Sequence, residues 1–577
     1  MIALNRDFES PVKMENIKRR FRPDQESSLN KLRRLKLKEL QRIMFVNPNR
    51  PPDHVYNLNV TLSEKIPLER EIPDTRPQSC DKIVYDISKM PKTSVIIIFY
   101  NEALSMLLRT VHSILSRTPD ELLEEIILVN DHSSNKDLKK YLEKYVGYLP
   151  KVKLLQTTQR EGLIRARLIG FHEATGDFVF FQDAHTEANV DWLQPLLQEV
   201  IKNPRTVIQP EVDQIDAQTI EYKGGNNIVP RGGFSWDLRY TWMEMPEHEN
   251  QRVTIEAEKL GVVPDSLPFR TPTLVGCAFG VLKSYFNHIG TFDDDMKIWG
   301  GENIELAWRV WQCHGQVLTH PCSRVAHTFK PFSYKFDGDR EKIVQKNLMR
   351  MAETWMDDYA KYFYAISYAW VPKRTFLTRK EKQSLQTRKK LRRDLKCKSF
   401  RWYLENIIPE MPTPPDYSLY HGEIFSVKSE ACWFPKPSGF IGITYFCFFH
   451  RIVPQNELSM NVKGHIFIGS KFVRVDKKLW LLYLSDEEPS PNEEIWRMNH
   501  NGYYTGQLGV EFTNAHGARQ RMCAVQVTNV HRVHYKEQMV QLSRCNIRDP
   551  FQNWRWTYKL DWNYNFDERH AEPMRNE

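Results

Sequence analysis

The sequence predicts an α/β fold built on a mainly parallel, doubly wound sheet. Three observations carry this. Apolar runs at 94–100, 125–129, 152–155 and 178–181 have the length and composition of buried strands. Helical periodicity lies between them, as in Leu107, Leu108, Val111, Ile114 and Leu115, and again over 163–173. Strands alternating with helices specify parallel pairing with crossover connections. The third observation is that the fourth run stops abruptly at Asp183-Ala184-His185, at the carboxyl edge where open α/β sheets bind ligands.

On an extended backbone, side chains two residues apart share a face. Asp183 and His185 therefore project together beyond the strand end. One carboxylate oxygen and one imidazole nitrogen suit a borderline divalent cation better than Ca²⁺, which prefers oxygen alone. The competing reading is that Asp183 caps a helix near 191–193 and His185 is incidental. The second strand ends in Asn130-Asp131-His132-Ser133-Ser134. Asp131 there could accept hydrogen bonds from a base or ribose, or close an Asx turn. The third strand leads into Arg160-Glu161-Gly162.

Several ordered blocks then go together: 94–103, 128–133, Arg160-Glu161-Gly162, Asp183-Ala184-His185, Arg270-Thr271-Pro272-Thr273, Trp299-Gly300-Gly301-Glu302-Asn303, 309–313, 321–327 and 398–406. In this succession the chain resembles the polypeptide N-acetylgalactosaminyltransferases from about 73 to 409. The resemblance implies a GT-A nucleotide-diphospho-sugar transferase fold followed by a ricin-type lectin domain. It implies metal-dependent, retaining transfer of GalNAc from UDP-GalNAc to Ser or Thr of polypeptides. The alternative is a catalytically silent homologue that binds glycoproteins or nucleotide sugars.

By that resemblance the metal is Mn²⁺, held by Asp183, His185 and His327. Asp131 and Arg160 take the uridine side of the donor, and Ala184, Trp299, Lys330 and Tyr334 complete the donor pocket. Asp183 and Glu302 carry the catalytic roles, Glu302 on the acceptor side. The segment 329–334 resembles the loop that closes over the donor. Lys330 stands where the family has arginine, keeping the charge but losing the bidentate fork. Tyr100 replaces a histidine, Thr186 replaces a cysteine, and the donor loop is one residue short. Gly276-Cys277-Ala278-Phe279 replaces Gly-Gly-Leu-Phe, so the Cys277 side chain is expected to narrow the sugar pocket.

The nine cysteines contain no C-x-x-C pair, which argues against a zinc ribbon. Their scatter suits a disulfide-bonded secreted protein with one thiol left over. The resemblance implies Cys80–Cys322 and Cys313–Cys397, with Cys277 unpaired. Pairs 432/447 and 523/545 are spaced like repeat disulfides of a trefoil. Gln552-Asn553-Trp554 resembles the trefoil Gln-x-Trp motif, and Pro454-Gln455-Asn456-Glu457 an eroded copy. The family's sugar-binding Cys-Leu-Asp is here Cys432-Trp433-Phe434 and Cys523-Ala524-Val525, so the trefoil is expected to be degenerate and not to bind GalNAc.

At 577 residues several domains are expected: a stem at 1–75, with a short basic amphipathic helix through Leu29, Leu32, Leu40 and Ile43; a catalytic domain at 76–408; a Pro-rich linker at 409–418; and the trefoil at 419–577. The net charge of +9 is modest and concentrated in basic runs at 31–38 and 388–393. Both read first as solvated helical faces, so no nucleic-acid partner is expected. No segment has the apolar length to cross a bilayer, and the start lacks a signal-peptide core. The Asn59-Val60-Thr61 sequon and the cysteines nevertheless suit the secretory pathway. Golgi residence is expected through a type II anchor not visible in this chain. The competing account is a cytosolic protein whose cysteines stay reduced.

Overall fold

The computed structural model describes residues 28–45, 51–224, 231–330, 336, 338–370, 376–445, 447, 451–452, 457–490, 493–500, 505–513, 519–527 and 538–562. The predicted strands form as β1 (Thr93–Phe99), β2 (Leu123–Asn130), β3 (Val152–Gln156) and β4 (Phe178–Asp183). β1 lies between β2 and β4, parallel to both, and β3 extends the sheet beyond β2. All seven residues of β1 are buried, as a strand covered on both faces must be. Past β4 the sheet is mixed. Ala278–Leu282 runs antiparallel to β4, and the long strand Gln316–His327 pairs in parallel with β6 (Thr206–Ile215). A short β5 (Thr186–Ala188) pairs with the end of Gln316–His327. This is the GT-A arrangement.

The segment assigned to a stem is not free-standing where it is described. Leu40 and Met44 of the helix Ser28–Phe45 are buried in the core that includes Leu138, Leu142 and Tyr145, and Gln41 Nε2 donates to Tyr145 Oη at 2.6 Å. Tyr56, Leu58 and Val60 pack with Ala103, Met106 and Ile215. Sparse apolar residues among charges read as a polar stem, yet these five pack on the sheet domain, while Leu35, Ile43 and Val55 stay exposed. Asn59, expected in an exposed stretch, is half-buried. Its Nδ2 donates to Gln218 O at 3.0 Å and its Oδ1 accepts from Leu62 N.

The linker is pinned as well: Glu410 pairs with the buried Arg231, and Trp236 Nε1 donates to Pro412 O at 2.7 Å. The carboxyl-terminal strands form a closed trefoil circuit in which Tyr420–Ser426 meets both Leu458–Met460 and Cys432–Pro435. In its core Trp433 packs edge to face with Trp496 and Trp554, with ring centroids 5.9 and 5.6 Å apart. Gln552 explains the Gln-x-Trp signature: its amide donates to Ser543 Oγ and Arg544 O and accepts from Asn546 N, tying the turn shut beneath Trp554. Trp433, at the Leu position of the altered Cys-Leu-Asp motif, is fully buried, while Phe434, at the Asp position, is half-buried. The possible repeat copy at 454–456 lies outside the described residues.

Four disulfides form, Cys80–Cys322, Cys313–Cys397, Cys432–Cys447 and Cys523–Cys545. Cys277 is the one free cysteine, and it is buried. Among the described residues no helix is long and apolar enough to cross a membrane.

Candidate metal and donor site

Sheet register assembles the site. Asp183 ends β4, where its backbone N–H donates to Cys277 O at 2.8 Å. The chain turns over Ala184 and His185 into β5, and the turn is closed by Thr186. Its hydroxyl donates to Asp183 O and accepts from Gln182 Nε2, so the threonine that replaces a cysteine acts through hydrogen bonds. Pairing of β5 with Gln316–His327 sets His327 opposite Thr186, and Thr328 N donates to His185 O at 3.1 Å. That pairing delivers His327 to the edge where Asp183 and His185 wait.

The ligand atoms of Asp183, His185 and His327 all lie within 4.8 Å of one another. His327 Nε2 is 3.4 Å from Asp183 Oδ2. Burial pushes the His327 imidazole below its usual range, against the opposing pull of Asp183, which favours the neutral form that binds metal. Burial alone would raise the Asp183 carboxyl, but His327, Arg167 and His185 outweigh it and hold it low. His327 Nδ1 is buried without a hydrogen-bond partner, so that side of the ring is committed to no protein acceptor. Two imidazoles and one carboxylate fit a borderline divalent cation.

Two residues that the sequence reading passed over organise this set. Glu102, just beyond β1, reaches His185 Nδ1 with Oε2 at 2.8 Å and Lys330 Nζ with Oε1 at 2.9 Å. Burial would raise the Glu102 carboxyl, but Lys330 and His185 hold it far below the usual range. Arg167, on the helix Leu163–Glu173, donates from Nη2 to Gly276 O at 2.7 Å. It also lies 3.5 Å from Asp183 Oδ1 and 3.4 Å from Glu302 Oε1. A buried arginine of that kind needs nearby carboxylates, but its partners lie far off in sequence.

Asp131 is fully buried, with both oxygens committed to the 160–162 loop. Oδ1 accepts from Glu161 N at 2.7 Å, and Oδ2 accepts from Gly162 N and pairs with Arg160 Nη1. These bonds run to residues about thirty positions away and are not the local Asx turn weighed from sequence. Gly162 has φ 86°, and a Cβ there would sit 2.4 Å from Ile298 Cα. Only glycine lets the 160–162 loop bridge to Ile298, where Leu163 N donates to Ile298 O, beside Trp299. Trp299 is partly buried against the main core. Glu302 opens the helix Glu302–Gln312, its Oε2 accepting from Gly300 N at 3.0 Å. Ala184 is buried, and Cys277 joins the apolar cluster that contains it. Burial pushes the Cys277 thiol far above its usual range, with the Asp183 charge adding to the effect. Tyr334 lies outside the described residues.

Residues 94–287 match the model of glycosyl transferase family 2, and 260–331 that of the N-terminal domain of galactosyltransferase. The chain is 44% identical over 386 residues to mouse polypeptide N-acetylgalactosaminyltransferase 4, covering 66% of this chain and 63% of that protein. It is 42% identical to Xenopus tropicalis polypeptide N-acetylgalactosaminyltransferase 11, with the same coverage. The crystal structure of GalNAc-T7 with UDP, GalNAc and Mn²⁺ superposes with a TM-score of 0.59 at 27% identity, covering 88% of each chain. Over these stretches the chain is similar to the polypeptide N-acetylgalactosaminyltransferases. It matches 63% of the length of the first two of these relatives. The two family-model matches, 94–287 and 260–331, enclose Asp183, His185 and His327.

Proposed function

We propose that this chain is a Mn²⁺-dependent polypeptide N-acetylgalactosaminyltransferase, moving GalNAc from UDP-GalNAc to the hydroxyl of Ser or Thr in a polypeptide. The observation that carries the reading is the convergence of Asp183, His185 and His327 within 4.8 Å at the carboxyl edge of the sheet. When bound there, the cation supplies positive charge against the diphosphate that leaves with the sugar.

The remaining work falls to side chains. Asp131 holds the 160–162 loop so that Arg160 faces the uridine side of the donor, with Trp299 across the Gly162–Ile298 bridge. Lys330 offers a single positive charge to the phosphates. Arg167 ties Asp183 to Gly276 and Glu302, which keeps the metal side, the sugar side and the acceptor side in one frame. Such fixed geometry lowers the cost of bringing donor and acceptor into line. Four disulfides suit the oxidising secretory pathway, and on this reading the chain works in the Golgi.

Incubation of the purified protein with UDP-GalNAc, Mn²⁺ and a panel of Thr/Ser-rich peptides tests this. Addition of one N-acetylhexosamine mass to a peptide is expected. UDP binding without transfer to any peptide would instead assign the silent, binding role.

A further inference from the structure

Glu102 is 8% exposed and sits between two side chains brought from distant parts of the chain. Its Oε2 takes His185 Nδ1 at 2.8 Å; its Oε1 takes Lys330 Nζ at 2.9 Å and its neighbour Ala103 N at 3.0 Å. A carboxylate accepts and does not donate, so the shared proton on the His185 side belongs to Nδ1. That leaves the Nε2 lone pair as the imidazole's free ligand position. Such outer carboxylates fix the tautomer and ring orientation of a metal-binding histidine and raise its basicity. The second oxygen holds the one described cation of the 329–334 segment.

We propose that Glu102 is the positioning residue of the metal site, orienting His185 with one oxygen while storing Lys330 on the other. The inference rests on the reading of Asp183, His185 and His327 as the ligand set. Lys330 is a positive charge bonded to the same carboxylate that supports a metal ligand, so in donor-free protein it opposes cation binding. An anionic diphosphate competes with Glu102 for Lys330. Its arrival draws the lysine away and returns the whole carboxylate to His185. Metal and donor thereby support each other through one side chain, and such a coupling is reciprocal.

The test is Mn²⁺ binding alone, without donor, followed by the electron paramagnetic resonance signal of free Mn²⁺, with melting temperature recorded for each variant. Glu102→Gln is expected to weaken Mn²⁺ binding about 10- to 100-fold. Lys330→Met is expected to bind Mn²⁺ at least as tightly as wild type. The double variant E102Q/K330M leaves no buried charge unpaired and carries the same expectation as Glu102→Gln, so misfolding of the single variant does not decide the matter. Mn²⁺ affinity within threefold of wild type in the folded double variant overturns the inference. So does a loss in Lys330→Met equal to that in Glu102→Gln. Wild-type protein that binds no Mn²⁺ would instead defeat the metal reading itself.

Discussion

Arg160 lies against the face of Tyr100, its Cζ 3.5 Å from the ring centroid, while Nη1 reaches Asp131 Oδ2 at 2.9 Å. The guanidinium is therefore held between an aromatic face and a buried carboxylate. Tyr100 offers its ring face to the cation. Cation–π contacts contribute about 0.5–2 kcal/mol according to exposure. Tyr100→Ala should weaken UDP binding, measured by titration calorimetry with Mn²⁺ present, by about 2- to 30-fold. Tyr100→Phe keeps the ring and should bind within about twofold of wild type. Equal losses in both would show that the ring face is not what matters.

Cys277 should be chemically silent in the folded protein. It is buried, and its thiol is held protonated by burial and by the neighbouring Asp183 charge, whereas reactive thiols are exposed and acidic. Native protein is expected to take up no iodoacetamide at Cys277. Unfolding without reductant should expose one thiol per chain, because the other eight cysteines are paired. More than one reactive thiol in non-reduced, unfolded protein would contradict the disulfide assignment.

Glu457 gives the trefoil a dependence on pH. Burial and the nearby Glu423 push its carboxyl up to about 8, while burial drives its neighbour His421 down to about 3. The folded state therefore keeps a proton on Glu457 that the unfolded chain releases near the ordinary carboxylate value. Stability from this group is complete below that value and falls as pH rises toward 8. Its slope approaches about 1.4 kcal/mol per pH unit. Because the depressed His421 gives an opposite slope up to the unfolded imidazole value of 6.5, the net decline falls between pH 6.5 and 8; Glu457→Gln should remove it there and raise the melting temperature most at pH 8. An unchanged pH profile would mean that the carboxylate finds compensation in the native fold.

The alternating apolar runs made the central strands legible because burial on both faces demands it. Asp183 and His185 were legible as a pair, although the structure brings them together through a turn over Ala184 and His185 and not through extended alternation. His327 was reachable only by family resemblance, because the β5 pairing that delivers it is a long-range register choice. Glu102 and Arg167 left no local signature. A buried charge is recognised by its partners, and theirs are scattered from Asp183 to Lys330. The packed segment at 51–75 hid for a similar reason: Tyr56, Leu58 and Val60 are too few to form a pattern but enough to fill a groove.

The most direct test of a metal-dependent transferase compares wild type with Asp183→Asn and His327→Ala after chelation and re-addition of Mn²⁺, with peptide glycosylation read by mass. Loss of either ligand removes several kcal/mol of transition-state charge stabilisation, so transfer should fall by about a thousandfold or more while folding and disulfides persist. Wild type alone should recover its rate with Mn²⁺. A folded Asp183→Asn or His327→Ala variant that transfers GalNAc within tenfold of the wild-type rate would contradict the account.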